Sequence, residues 1–220
     1  FCWWGAWGKE FLPFCAKEKL PLVFYSWHCY YKDATAPADA ARRARALLDA
    51  NGFTKTESHL NEWNYVRGWS DEWVYSLECE SGRFNQKGAA SVAAVMITCQ
   101  DAPLDMLMFY DARVNTNMNN LFDTLTLLPM KGYYPFLAWR RLTELGTQVA
   151  TTVATPDIKK PQLFACAAKN AAGRGALFLA RYSDDNNIVE TRRVRLTLPK
   201  GVDPATARCH LTDAVRTYTE

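Results

Sequence analysis

The chain has 220 residues, of which 49% are hydrophobic, so it is long enough to bury the core of one large domain or two small ones. The formal net charge is +3 with both signs interspersed and no basic stripe, so nucleic acid is not an expected partner. No apolar run approaches the length of a membrane-spanning helix, so a membrane is not an expected partner either.

The first part of the chain alternates helical and strand patterns. Residues 7–19 predict a helix, and the continuous apolar run at 20–28 predicts a buried strand. Residues 36–52 predict a second helix, because Pro37 stands near its start, alanine and leucine fill its interior, and Gly52 marks its end.

The alternation continues through the middle of the chain. Residues 56–62 predict a short strand and residues 63–82 a long loop. Residues 86–102 predict a buried helix, residues 104–111 another buried strand, and residues 132–146 a final helix. Buried strands separated by helices indicate a parallel sheet, and three such units are too few to close a barrel by themselves. They would form the last part of a barrel or part of an open sheet.

The pattern changes after this point. Residues 162–170 and 175–183 alternate apolar and polar positions around a turn sequence, which predicts a β-hairpin. Residues 188–199 and 206–219 predict further strands, so this region is interpreted as an antiparallel β domain with one solvated face. The sequence is therefore divided into two predicted domains, 1–146 and 147–220.

The chain is rich in aromatic residues, with 8 Trp, 10 Tyr and 11 Phe. Several tryptophans stand in polar, loop-like contexts, among them Trp69 and Trp73 in the predicted loop at 63–82. Aromatic rings in a polar cleft suit the flat apolar faces of sugars, although any one of these rings could equally anchor a loop.

Cysteine and histidine spacing indicates no metal site. The seven cysteines contain no CxxC pair, so neither a disulfide framework nor a zinc site is predicted. His28, His59 and His210 lack the spacing of metal ligands, and no glycine-rich phosphate loop or G-x-S-x-G sequence occurs. We therefore expect no metal and no cofactor.

Polar and aromatic residues stand at the ends of the three predicted parallel strands, where ligands bind in such folds. These residues are His28, Glu62 and Tyr110. Period-2 alternation places Glu62 on the face of Leu60 and Ser58. If the three faces point inward, an imidazole or a phenol could hydrogen-bond the carboxylate and keep it ionised. From spacing alone, Glu62 is either a catalytic carboxylate or a structural salt-bridge or capping residue.

Longer motifs resemble a known family. They are, in chain order, "LPLVFYSWHCYYKDA", "LLDANGF", "LNEWNY", "FYDAR", "NNLFD" and "KGYYPFLAWRRLTELG". Together they resemble the C-terminal half of the clan A retaining glycoside hydrolases, in particular the family 39 β-xylosidase-like enzymes. The resemblance covers roughly residues 8–146, and the predicted β domain agrees with the family in kind rather than in motif.

The resemblance implies an α/β plus all-β fold, in which strands 6–8 of a (β/α)8 TIM barrel are followed by an antiparallel β-sandwich. By motif, Glu62 corresponds to the nucleophile at the end of the seventh strand. The residues implied to bind substrate are His28, Tyr30, Trp27, Asn61, Trp63, Asn64 and Tyr110.

The family's acid/base glutamate, in an Asn-Glu motif on the fourth strand, has no counterpart, because the only Asn-Glu here is Asn61-Glu62. We therefore expect a fragment, inactive alone, of an enzyme that hydrolyses xylo-oligosaccharides or related plant-polysaccharide glycosides by double displacement. Its partners would be the glycoside substrate and the missing N-terminal half of the barrel.

Other interpretations stay open at this point. The chain starts with Phe, so we expect its true N-terminus to be missing, and either a cytoplasmic or a secreted location is possible. The alternative function is that of a non-catalytic carbohydrate-binding or scaffold protein with a degenerate barrel. A metal hydrolase using His28 and Glu62 is a third possibility.

Overall fold

Three parallel strands form the first sheet of the chain. The structure is a computed structural model that describes residues 5–69, 73–114, 116, 118–154, 163–188, 193–198 and 202–219. Strands β1 (Phe24–Tyr31), β2 (Glu57–Tyr65) and β3 (Met106–Phe109) lie in the order β1-β2-β3. Within the described residues, β1 and β3 each pair with β2 alone, so the sheet is not closed into a barrel.

In the described ranges five α-helices accompany the strands, and local sequence explains where they begin and end. Pro37 lies in the first turn of the second helix, and Gly52 follows that helix with a φ of +83°, which costs glycine no steric strain. Asn85 caps the fourth helix by accepting a hydrogen bond from the Lys87 amide. The helices are α1 (Gly5–Lys17), α2 (Ala36–Ala50), α3 (Trp73–Phe84), α4 (Gln86–Cys99) and α5 (Tyr134–Thr143).

Helix α3 corrects the long loop predicted at 63–82. Cys79, Gly82 and Arg83 are buried at the i, i+3, i+4 spacing of one helical face. This face packs on Tyr65, whose backbone oxygen accepts a hydrogen bond from Arg83 at 3.2 Å. A glycine and an arginine on the buried face hide the apolar periodicity that would otherwise predict a helix.

The bounds of the strands also differ from the sequence prediction. Strand β1 begins at Phe24 rather than residue 20, and the exposed Val23 precedes it. Strand β2 continues to Tyr65, so Glu62 lies within the strand and not at its end. The additional residues of β2 pair with the end of β1, where Tyr31 lies opposite Tyr65.

The second sheet is antiparallel and contains β4 (Thr147–Val149), β5 (Leu163–Lys169) and β6 (Gly175–Arg181) in the order β4-β5-β6. Strands β5 and β6 confirm the predicted hairpin. The predicted strand at 188–199 is wrong over residues 193–198, and its residues 189–192 and 199 lie outside the described part of the chain. Its apolar residues stay exposed without a partner strand: Val194 43%, Leu196 50% and Leu198 39%.

The predicted strand at 206–219 is reduced to a single bridge between Leu211 and Thr219. A short 3₁₀ turn at Pro204–Thr206 precedes it. Over the described residues after residue 146, one three-stranded sheet is therefore present, and the second layer of the predicted β-sandwich is not seen.

The hydrophobic core lies between the parallel sheet and the helices. Trp27 and Trp63 are buried there, and the same core continues into the second sheet through Phe164. Trp139 of α5 packs against Phe178 of β6 with ring centroids 6.0 Å apart. The core thus crosses the boundary predicted at residue 147, and the division into two domains stays a prediction.

The other face of the parallel sheet is open to solvent. Phe24 of β1 is 52% exposed and Met106 of β3 is 49% exposed, although both belong to strands. These side chains lie on the face opposite the helices. Among the described residues, the outer edges of β1 and β3 have no partner strand. The first sheet therefore has an apolar face, opposite the helices, that is open to solvent. We call it the inner face of the sheet.

Cys29 is disulfide-bonded, which the sequence analysis did not predict. The free cysteines are Cys15, Cys79, Cys99, Cys166 and Cys209.

None of the helices in the described ranges combines the length and hydrophobicity that crossing a bilayer requires.

Candidate functional site

A bulge in β2 determines which face Glu62 takes. Leu60 lies opposite Trp27 of β1, whereas Glu62 lies opposite His28, so Asn61 is the extra residue. One extra residue reverses the alternation of faces along a strand. Glu62 therefore lies on the inner face with His28, and the expectation that it shares a face with Leu60 is wrong.

Two side chains of β1 contact the Glu62 carboxylate. The Tyr30 hydroxyl donates a hydrogen bond to Glu62 Oε1. His28 Nδ1 lies 3.5 Å from Glu62 Oε2. The side chains of His28 and Glu62 are 40% and 24% exposed, so the carboxylate is supported by the sheet but open to a ligand.

The Tyr30 phenol is held in its protonated form. Burial raises the pKa of Tyr30 well above its ordinary value, and the hydrogen bond to Glu62 and the negative charge of Glu62 raise it further. Because the phenol keeps its proton, Tyr30 acts as a donor to the carboxylate.

Asn64, two residues beyond Glu62, connects β2 to the loop after β3 through hydrogen bonds of its side chain. Its Nδ2 donates to the backbone oxygens of Tyr110 at 2.6 Å and Met118 at 2.7 Å. Its Oδ1 accepts from the Tyr65 amide at 2.7 Å. Since Asn64 is fully buried, it serves as a support behind the site.

Tyr110 lies beside this loop but its phenol is engaged elsewhere. The Tyr110 amide donates to the Trp63 backbone oxygen at 3.1 Å, while its hydroxyl accepts from Arg113 at 2.6 Å. The Tyr110–Asp111 peptide bond is cis. The sequence predicted that His28, Glu62 and Tyr110 would lie together. In the structure the phenol that contacts Glu62 beside His28 is that of Tyr30.

Trp27 and Trp63 lie in the core behind the site. Trp27 is 2% exposed and its indole donates to Ser58 Oγ at 3.0 Å. Trp63 is fully buried, with its ring 5.0 Å from that of Phe109. Neither ring presents a surface to a ligand, so the predicted role of these two residues in binding substrate is corrected to a structural one.

Asn61, the bulged residue, is partly buried beside the site. Its Oδ1 is buried and has no hydrogen-bond partner among the described residues. The structure thus places three of the predicted residues, His28, Tyr30 and Glu62, in one contacting group. Asn61 flanks this group, whereas Asn64 and Tyr110 adjoin it through the loop after β3.

Trp69 is the residue near this group that the sequence analysis did not assign. Its ring lies 5.3 Å from the Tyr30 ring in an edge-to-face arrangement, and the residue is 61% exposed. The abundance of tryptophan in the 63–82 segment was the available signal. It did not distinguish Trp69 from Trp73, which is also exposed.

The other carboxylate close to the end of the sheet is Asp111, and its oxygens are fully occupied. They accept hydrogen bonds from Arg113 Nε at 2.8 Å and from Thr116 Oγ1 at 2.8 Å, and Arg113 forms an ion pair at 2.6 Å. Within the described ranges, no three His, Cys, Asp or Glu residues are grouped to hold a metal ion. The arrangement therefore offers one accessible carboxylate, Glu62, suited to act as a nucleophile or base.

Comparison with known proteins gives a fold but no family. A scan against protein-family models and a search of curated proteins both found no match. Among solved structures, the chain is similar to a glucosidase from Croceicoccus marinus, with a TM-score of 0.62 and 22% identity over 81% of this chain and 37% of that chain. It is also similar to a GH39 β-xylosidase from Caulobacter crescentus, with a TM-score of 0.54 and 17% identity over 78% of this chain and 35% of that chain.

These similarities show that the chain shares a mixed α/β fold with part of each of these two solved structures. The resemblance predicted from the sequence is confirmed at the level of the fold. The chain corresponds to only 37% and 35% of the lengths of the two glycosidases.

Proposed function

We propose that this chain is the C-terminal part of a retaining glycoside hydrolase with a (β/α)8 barrel and a following β-sandwich. Strands β1, β2 and β3 would be the sixth, seventh and eighth strands of that barrel. The observation that carries the proposal is the partly exposed Glu62 carboxylate, which accepts a hydrogen bond from the Tyr30 hydroxyl and lies 3.5 Å from His28 Nδ1. The fold shared with a glucosidase and a GH39 β-xylosidase supports it.

In the proposed reaction, Glu62 is the nucleophile of a double displacement. Its carboxylate forms a bond to the anomeric carbon while the bond to the leaving oxygen breaks and a general acid protonates that oxygen. Water then attacks the anomeric carbon, and the bond to Glu62 breaks while the same catalytic group takes the proton from water. Two inversions retain the configuration of the sugar, and no cofactor takes part.

The general acid is proposed to lie in the parent protein outside this chain. A retaining pair requires carboxyl groups about 5–5.5 Å apart on opposite sides of the scissile bond. Asp111 is engaged by Arg113 and Thr116 and is a poor substitute. Because the two similar glycosidases are much longer than this chain, we infer that it needs the rest of its barrel for turnover.

We propose xylo-oligosaccharides or related plant-polysaccharide glycosides as the substrate class. The support is the similarity in fold to a β-xylosidase, together with the aromatic surroundings of Glu62. His28 and Tyr30 would line the sugar subsite, with Asn61 at its border and Tyr110 beyond it.

The decisive experiment uses the full-length parent protein and aryl glycosides. We expect the parent to hydrolyse an aryl β-xyloside or a related aryl glycoside, and Glu62→Ala to lower kcat by several orders of magnitude, because the nucleophile is lost. Added azide should restore turnover of Glu62→Ala with a glycosyl azide as the product. The matched control is Glu57→Ala, an exposed glutamate on the same strand that pairs with His59.

Normal turnover by Glu62→Ala would rule out the assignment of the nucleophile. If the parent hydrolysed no glycoside but bound oligosaccharides, and Glu62→Gln left that affinity unchanged, the chain would instead belong to a carbohydrate-binding or scaffold protein.

A further inference from the structure

We propose that Trp69 contacts the substrate, forming an aromatic wall against the apolar face of a pyranose ring held next to Glu62. This inference rests on the proposed function and specifies the shape of sugar that the site accepts.

The first support is the position of Trp69. Its ring meets the Tyr30 ring edge to face at a centroid distance of 5.3 Å. The Tyr30 hydroxyl, in turn, donates to Glu62. Trp69 is thus separated from the carboxylate by a single side chain, on the side of the sheet where His28 and Glu62 are accessible.

The second support is exposure. Trp69 is 61% exposed, whereas Trp27 and Trp63 on the helix side of the same sheet are 2% and 0% exposed. Leaving most of a large apolar ring in water forgoes the stabilisation that its burial would give. Ligand sites commonly combine such aromatic surfaces with a few placed polar groups, and the Glu62 carboxylate and His28 imidazole supply those groups here.

The third support is that the residues immediately before Trp69 are anchored. The Val66 amide donates to the Tyr31 backbone oxygen at 2.8 Å. Arg67 pairs with Asp184, beyond the end of β6, at 3.3 Å and with Glu78 of α3 at 3.5 Å. The indole is therefore presented from a segment tied to β1, α3 and the second sheet, which lowers the entropic cost of binding.

The chemistry of the wall selects a class of sugar. Pyranosides with all hydroxyls equatorial, such as xylosides and glucosides, expose flat faces of C–H groups that can lie against an indole. Furanosides, with a puckered five-membered ring, present no such face. The inferred ligand is accordingly a pyranoside with equatorial hydroxyls.

The test uses the full-length parent protein and measures its binding of the xylose-configured iminosugar 1,5-dideoxy-1,5-iminoxylitol by isothermal titration calorimetry. Its ammonium group can pair with Glu62 while its ring lies against Trp69. We expect Trp69→Ala to weaken binding roughly three- to tenfold and Trp69→Phe to retain most of the affinity. Trp7→Ala is the matched control, because Trp7 is 74% exposed on α1, which packs against α2.

The outcomes separate this inference from the proposed function. Unchanged affinity in Trp69→Ala, with loss of binding in Glu62→Gln, overturns the role of Trp69 and leaves the role of Glu62 intact. Weakened binding in Trp69→Ala, with full affinity in Glu62→Gln, supports the aromatic wall and contradicts the assignment of Glu62 as the nucleophile. A wild-type parent protein that binds no iminosugar at millimolar concentration, or a Trp7→Ala effect equal to that of Trp69→Ala, overturns the inference. Circular dichroism melts verify that each variant is folded.

Discussion

At the scale of single residues, Asn64 illustrates how a buried polar side chain fixes the surroundings of Glu62. All of its hydrogen bonds go to backbone groups: the oxygens of Tyr110 and Met118 and the amide of Tyr65. One side-chain amide thus joins β2 to two points of the loop after β3, so its removal leaves several buried polar groups without partners.

We predict that Asn64→Ala lowers the free energy of unfolding by about 2–4 kcal/mol, because unpaired buried backbone groups carry their full desolvation cost. Urea denaturation followed by circular dichroism measures this. Asn51→Ala is the control, since Asn51 makes one hydrogen bond to Leu47 at the end of α2, and its loss should cost about 1 kcal/mol or less. Equal losses in the two variants would contradict the role given to Asn64.

At the level of residues, the sequence predicted that His28 and Glu62 would lie close together, and the structure places His28 Nδ1 3.5 Å from Glu62 Oε2. The catalytic and binding roles of these residues stay predictions, and the predicted face of Glu62 was wrong. Strict alternation placed Glu62 on the face of Leu60, because a bulge at Asn61 leaves no mark in a single sequence. The bulge becomes visible only when β1 and β2 are paired.

At the scale of secondary-structure elements, the tight turn between α3 and α4 depends on one glycine. A Cβ added at Gly88 would lie 2.0 Å from the Arg83 backbone oxygen, which no side-chain rearrangement can relieve. The end of α3 and the first turn of α4 can therefore approach this closely only with glycine at this position.

We predict that Gly88→Ala destabilises the chain by about 2–3 kcal/mol or more, because the backbone of one helix must move away from the other. The matched control is Gly175→Ala in β6, where the added Cβ would meet the Ala168 oxygen at an ordinary contact distance of 3.5 Å. Thermal melts of the two variants should differ clearly. If Gly88→Ala melts like the wild type, the two helices are not packed as described.

Elements were predictable where their periodicity was carried by apolar residues. Helix α2 and the β5–β6 hairpin followed the pattern of their sequences. Helix α3 did not, because two of its buried positions are Gly82 and Arg83. The alternation at 193–198 looked like a strand, but a strand also needs a neighbour, which sequence alone does not specify.

At the scale of the whole molecule, Asp184 joins the second sheet to the first. Its carboxylate accepts from the Tyr65 hydroxyl at 2.5 Å and pairs with Lys87 at 3.0 Å and Arg67 at 3.3 Å. Burial alone would raise the pKa of Asp184, but the hydrogen bonds from Tyr65 and Lys87 and the charges of Lys87 and Arg67 outweigh it and lower this pKa.

This lowered pKa gives the contact a defined pH dependence. A carboxylate with a pKa lower in the folded state contributes stability above its unfolded pKa of about 4, and loses it as the pH falls through the folded value. We predict that Asp184→Asn costs about 1–2 kcal/mol at pH 7, allowing for solvent screening of a half-buried group, and that the difference from wild type shrinks below pH 4.

Urea denaturation from pH 3 to pH 7 measures the effect. Asp39→Asn serves as the control, because Asp39 and Arg42 form an exposed pair whose contribution should be small over this range. A cost of Asp184→Asn that stayed constant with pH would contradict the linkage.

The mixed α/β architecture could be predicted from the order of sequence patterns, because buried strands alternate with helices before the hairpin. The contact through Asp184 could not, since residues 65 and 184 are far apart in the chain and no local pattern relates them.

The free edges of the parallel sheet β1-β2-β3 limit the symmetry with which copies of the chain can associate. In the described part of the chain, the two edges of this sheet have no partner strand. They belong to β1 and β3, which run in the same direction on opposite sides of β2. If the edge of one copy added in parallel to the edge of the next, β3 would meet β1, and the contact would be heterologous rather than two-fold symmetric. Each copy that adds in this way covers one free edge and brings a free edge of its own. The assembly can therefore keep growing until the strands close into a ring.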